Sequence, residues 1–136
     1  MILLKLNYLA VAVSAVAYFA IGAIYFNPKV VGAAWMKGHN LGEPTEEDKK
    51  GMGKMMAITF VYCLIGSVGI GCMMLIIQPT TWLVGAKIGL LASSFVFISI
   101  AMSYMYTKKS FRLVLIDSGY HVIGLIAASE IQMLFL

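Results

Sequence analysis

The sequence predicts an all-α membrane protein: a bundle of four transmembrane helices with a short interfacial helix or loop between the first two. Three observations predict it. Of 136 residues, 61% are hydrophobic and only 12% are charged, which leaves too little polar surface for a fold in water. Four apolar windows, residues 8–26, 55–78, 83–106 and 111–136, are long enough to cross lipid, since 19 residues of helix rise about 29 Å against a hydrocarbon core of about 30 Å. The basic residues, finally, sit at the ends of these windows and not on a face of their own. The net charge of +4 therefore reads as topology. Nucleic acid is not an expected partner, because it needs a basic surface with interleaved aromatics.

Charge placement also orients the chain. Lys29, Lys37, Lys49, Lys50 and Lys54 lie in the loop 27–54, and Lys108, Lys109 and Arg112 lie in the loop 107–112, while only Lys5 and Lys87 lie at the opposite ends. Loops rich in Lys and Arg stay in the cytoplasm. The expectation is a multi-pass protein of a plasma or inner membrane, with both termini outside and the bilayer as its first partner.

The first helix, from Tyr8 to Phe26, carries no charge. Its apolar run extends past Phe19 and Ile21, longer than the core of about 7–15 residues in a cleaved secretion signal, so it is read as a retained helix. Ala10, Ser14 and Ala17 form a ridge of small residues that lets another helix approach. Asn27 and Pro28 end the helix, because proline cannot continue the hydrogen-bond ladder. Val30, Val31, Ala34 and Trp35 then form an apolar face beside Lys29 and Lys37, the pattern of a segment at headgroup level with Trp35 as its anchor.

Thr45 followed by Asp48 is a helix start with a capping side chain. That helix runs through Lys49, Lys50 and Lys54 into the membrane at Met55, weakened by Gly51 and Gly53. Within it Cys63, Ser67 and Gly71 recur every four residues as a packing groove. Cys63 and Cys72 lie nine residues apart, about 13 Å along the helix. They cannot pair within one chain and are read as packing residues. Gln78 to Thr81 make a tight turn, and Trp82 anchors the next helix at the interface. Gly85 and Gly89 open the third helix as a GxxxG pair, which fits either a neighbouring helix of the same chain or a dimer seam.

The fourth helix holds the chemistry. Asp117, His121 and Glu130 interrupt an otherwise apolar or small-residue run, and a carboxylate near a bilayer centre costs roughly 2.5–3.5 kcal/mol even on mild insertion scales. Asp117 and His121 are one turn apart and share a face. The short turn at Thr107 to Ser110 makes the third and fourth helices antiparallel neighbours. Matching levels about that turn sets Lys87 opposite Glu130 as an ion pair, Asp117 near Ile100 and His121 near Val96. Ser99, Ser103 and Arg112 then fall within reach of the acid, and Tyr120 completes a polar cluster. Such a cluster either fixes helix register or relays a proton or cation. His39 has no partner at metal-ligand spacing among Glu46, Glu47 and Asp48, no nucleophile stands beside a base, and no loop cradles phosphate. Neither a metal, a cofactor nor an enzymatic activity is expected, and no ligand is specified.

Asn7 to Val11 reads NYLAV, Gly22 to Pro28 reads GAIYFNP, Trp35 to Lys37 reads WMK, and Asp117 to His121 reads DSGYH after Arg112. With these segments the chain resembles the domain-of-unknown-function 1761 family over nearly its full length. The resemblance implies a small protein with about four membrane-spanning helices and no established activity. The functional expectation is a self-associating structural or interaction bundle, with a homo-oligomer as partner. The alternative is a proton- or cation-coupled transporter or channel using the Asp117 and His121 face.

Overall fold

A computed structural model describes residues 2–136. A 3-10 turn at Ile2–Lys5 precedes α1, Tyr8–Tyr25. Asn7 caps α1, its side chain accepting from the amide of Ala10 at 3.1 Å, which satisfies one of the donors every helix leaves open at its start. Past Tyr25 the chain does not become an irregular loop. Asn27 turns it, and Pro28–Gly32 form a π-helical turn in which the amide of Gly32 reaches back to the carbonyl of Asn27 at 3.1 Å. This leads directly into α2, Ala33–Gly38.

The next helix, α3, Glu46–Ile77, starts at a complete capping box. The backbone and hydroxyl of Thr45 donate to Asp48 Oδ2 at 2.8 and 2.7 Å, and the amide of Asp48 donates back to Thr45 Oγ1 at 3.2 Å. Gly51 and Gly53 do not interrupt it. Its 32 residues rise about 48 Å, more than the bilayer core needs, so its first turns extend beyond the lipid. Gln78, in the left-handed region at φ 50°, ends α3 just before Pro79. The hairpin is completed by α4, Trp82–Tyr106, and α5, Phe111–Met133, with Ser110 capping α5. The last helix stops three residues short of the expected end, since Leu134 caps it.

Four of these helices, α1, α3, α4 and α5, are long and apolar enough to cross a membrane, and the chain is a membrane protein. At their centre stands α5. It packs along α4, against α1 and α3, and beneath α2, and it holds more buried residues than any other helix. By contrast α3 and α4 meet only briefly. The bundle is therefore closed on three sides and open between those two helices. Tyr18, Cys63, Ile70, Met74, Ile88, Tyr120 and Leu125 form its core.

Small residues set the spacing. Gly85 and Gly89 face α5: Ser129 Oγ donates to the carbonyl of Gly85 at 2.6 Å, and a methyl on Gly89 would lie 2.6 Å from Ile126 Cα. The GxxxG pair is thus an intrachain seam and not a free surface for a second copy. At Gly124 a methyl would run into the ring of Tyr18, so α1 rests on α5 through an aromatic seated on bare backbone.

Backbone approach this close leaves no room to adjust. Gly89→Ala is expected to cost about 1–3 kcal/mol through overpacking and to lower the thermal unfolding midpoint in detergent. Gly66→Ala, whose methyl would meet its nearest side-chain atoms at 3.5 and 3.9 Å, should stay at or above the wild-type midpoint. Equal midpoints for the two variants would show that the α4–α5 seam is looser than described.

Candidate functional site

Both carboxylate oxygens of Asp117 on α5 accept a hydrogen bond. Trp35 Nε1 donates to Asp117 Oδ1 at 2.8 Å, and the hydroxyl of Tyr104 donates to Oδ2 at 2.5 Å. His39 Nε2 lies 3.8 Å from the same oxygen and 3.4 Å from the Tyr104 hydroxyl. These partners come from α2, the residue after it, and the far end of α4. Asp117 therefore fastens the segment after α1 to the two C-terminal helices at the loop end of the bundle. Ring contacts reinforce it: Trp35 packs on His39 with centroids 4.6 Å apart and on Phe26 at 5.8 Å. Trp35, expected as a headgroup anchor, has its donor turned inward. Trp82 is exposed at the start of α4, at the opposite end.

One turn deeper, near the middle of α5, lies a second cluster. His121 Nδ1 and the hydroxyl of Tyr18 are 2.5 Å apart. Tyr120 packs beside both rings and holds its hydroxyl 3.5 Å from Cys63 Sγ and 3.4 Å from the carbonyl of Tyr18. Nearby, the Tyr25 hydroxyl donates to the carbonyl of Ile116 at 2.8 Å. Toward the chain termini Gln132 closes the series. Its amide donates to Ser14 Oγ at 3.0 Å and to the carbonyl of Ser67 at 2.8 Å, tying α5 to α1 and α3 in one place. In lipid such groups have no water to fall back on, so a missing partner costs more than a formed bond gains.

Level matching about the α4–α5 turn does not bring every expected partner together. Lys87 and Glu130 form no ion pair among the described residues. Lys87 is exposed, while Glu130 is half-buried with Oε1 unpartnered beside Gly85 and Met133. The reason is azimuth: Gly85, Ile88 and Gly89 face α5, and Lys87, two residues from each glycine, points to the other side of α4. Ser99 and Ser103 are likewise exposed and do not reach Asp117. Arg112, five residues before the acid, is turned well over a third of the way round the helix and exposed. Tyr104, Trp35 and His39 take the places assigned to these residues. Tyr120 does not touch Asp117 and belongs to the deeper cluster. Asp117 and His121 are thus neighbours along the helix that serve separate sets of partners.

Two cavities flank Tyr120. One, of about 290 Å³, lies between α1 and the loop-side half of α3 against Phe19, Gly22, Phe26, Met52 and Met56. The other, of about 380 Å³, lies on the open side between α3 and α4, with Tyr62, Cys63, Gly66, Val96, His121 and Leu125 in its walls. Among the described residues no three His, Cys, Asp or Glu side chains converge as a metal site.

The model of a family described as "Protein of unknown function (DUF1761)" matches residues 9–133. Neither a curated protein nor a solved structure matches the chain.

The two donors on Asp117 make a direct expectation. In a Trp82→Phe background, which leaves Trp35 as the sole indole, Asp117→Ala should shift tryptophan emission and raise its quenching by acrylamide, with a stability loss of about 1.5–3 kcal/mol for hydrogen bonds to a charged group. Unchanged emission and quenching would mean that the indole is held by its ring contacts alone.

Proposed function

The chain belongs to the DUF1761 family, whose description assigns no activity, and we propose that it works as a structural and interaction bundle of the membrane that associates with further copies of itself. One observation carries this reading. Four inward polar groups of α5, Asp117, His121, Ser129 and Gln132, bond to residues of α1, α2, α3 and α4. Groups committed to holding helices together are suited to a scaffold. Self-association draws support from α3, whose residues Glu46 to Thr59 are exposed on every side; Met55 and Ile58 there offer apolar surface within the lipid, and the chain places no helix against it. The placement of the basic residues supports a cytoplasmic position for the loops 27–54 and 107–112, with both termini outside.

The test is fluorescence transfer between donor- and acceptor-labelled copies reconstituted in liposomes. Transfer that rises with the protein-to-lipid ratio and falls when unlabelled protein is added is the expected result. Transfer at the level of random encounters over the whole range would overturn self-association.

One feature favours a second reading, a proton or cation relay. His39, Tyr104 and Asp117 form a connected set reaching from the loop side, and the His121–Tyr18 pair lies one turn deeper as a separate set. Flux measured by an internal pH dye in acid-loaded proteoliposomes separates the two. The scaffold reading expects background flux in wild type and in an Asp117→Asn, His121→Ala double variant alike, whereas a relay requires flux that the double variant loses.

A further inference from the structure

The opening between α3 and α4 has an unusual floor for a surface that faces acyl chains. Its walls are apolar, with Ile65, Val96 and Leu125 prominent, yet the imidazole of His121 lines it near mid-span. The ring has one nitrogen committed and one not. Nδ1 meets the hydroxyl of Tyr18, and this is the one hydrogen bond of the ring among the described residues, which leaves Nε2 without one.

The proton positions follow from the surroundings. With the Tyr18 hydroxyl donating to Nδ1 one polar group is left unpaired, whereas with Nδ1–H donating both the Tyr18 proton and Nε2 are, and the first arrangement is favoured. A charged imidazolium is disfavoured away from water. The ring is then neutral, and its single N–H is on Nε2. An N–H facing hydrocarbon lacks the acceptor that such a group needs.

From this we propose that the α3–α4 opening is a binding site for a small apolar molecule bearing a hydrogen-bond acceptor such as a carbonyl oxygen, with His121 Nε2–H as its donor. The cavity of about 380 Å³ falls in the size range of small-molecule sites, which are typically apolar with few polar groups. Access is lateral, because α3 and α4 meet only briefly, so a lipid-dissolved molecule reaches the site without crossing water. Tyr18 acts as a positioning residue, holding the tautomer that presents the donor. An acyl chain alone fills the space but leaves Nε2–H unpaired. The site is independent of self-association, since its residues all come from one chain.

The probe pair is fluorenone and fluorene, one ring system with and without the carbonyl oxygen, competing against photolabelling by benzophenone in nanodiscs that hold a single copy. Saturable labelling mapped to Tyr62, Val96 or Leu125 is expected, with fluorenone competing about fivefold better than fluorene, the worth of one hydrogen bond of about 1 kcal/mol. His121→Phe should equalise the two competitors. Gly66→Leu, which adds a side chain into the cavity where a Cβ meets nothing closer than 3.5 Å, should abolish saturable labelling. Equal competition in wild type, a preference that survives in His121→Phe, or unsaturable labelling spread over lipid-facing Leu91 and Phe95 would each overturn the site. If His121→Phe does not fold, the wild-type ratio and Gly66→Leu still decide it. Monomeric nanodiscs keep this outcome separate from the fate of the self-association reading.

Discussion

Lipid offers no hydrogen-bond partners, and α5 carries Asp117, His121, Glu130 and Gln132 within its length. The arrangement of the other helices follows from that mismatch. Association between helices in a bilayer draws little from apolar burial, because the lipid is as apolar as the side chains. Close packing and polar satisfaction are left to select the structure. Asp117 needs donors and receives them from Trp35 and Tyr104; Gln132 needs acceptors and takes them from Ser14 and Ser67. These bonds lie near opposite ends of one helix and involve every other membrane span between them. The central place of α5 is thus a requirement of its composition. Ser118 and Glu130 are the exceptions on α5, each with one oxygen buried and unpaired.

Satisfying α5 in this way leaves α3 only partly used. Gly71 admits Leu6 and Gln132 at the end near the termini, and Ser67, Ile70 and Met74 are buried there. Toward the loops the same helix has no buried residue before Cys63. It therefore leans on the bundle by one half and stands off by the other. Tyr120, packed against Gly22, fills the angle between them and separates the two cavities. The division of α3 into a held half and a free half places adaptable methionines, Met52 and Met56, at the free end, where their flexible thioether chains suit a surface that meets varying neighbours.

Apolar runs of membrane length were legible in the sequence because length and composition alone determine whether a segment crosses lipid. So was the capping box at Thr45 and Asp48, a local pattern with a local cause. Antiparallel neighbours α4 and α5 followed from the short turn at Thr107. What depth could not supply was direction around the helix axis. Lys87 and Glu130 lie at nearly one level, yet the face of α4 toward α5 is set by Gly85 and Gly89, and Lys87 is on the other. Asp117 was identified as a group needing partners, but Trp35 and His39 come from a segment whose path depends on the π-helical turn at Pro28–Gly32, a geometry no periodicity marks. A signal for Tyr18 was present: Ser14, Tyr18 and Tyr25, spaced by four and seven residues, trace one polar line along α1. Read as a face and not as isolated aromatics, that line points to the side of α1 that meets α5.

The separation between the two polar clusters has a consequence for how the molecule tolerates change. Asp117 depends on elements at the loop end, including a six-residue helix, α2, that has little packing of its own and is held largely through this contact. His121 depends on Tyr18, whose ring is fixed by Gly124 beneath it. Loosening α2 therefore disturbs the first cluster while leaving the second in place, because no hydrogen bond joins them among the described residues. A single continuous wire would couple every residue along α5 to every other. Two locks at different depths instead allow the loop end to move while the middle of the bundle keeps His121 held against Tyr18.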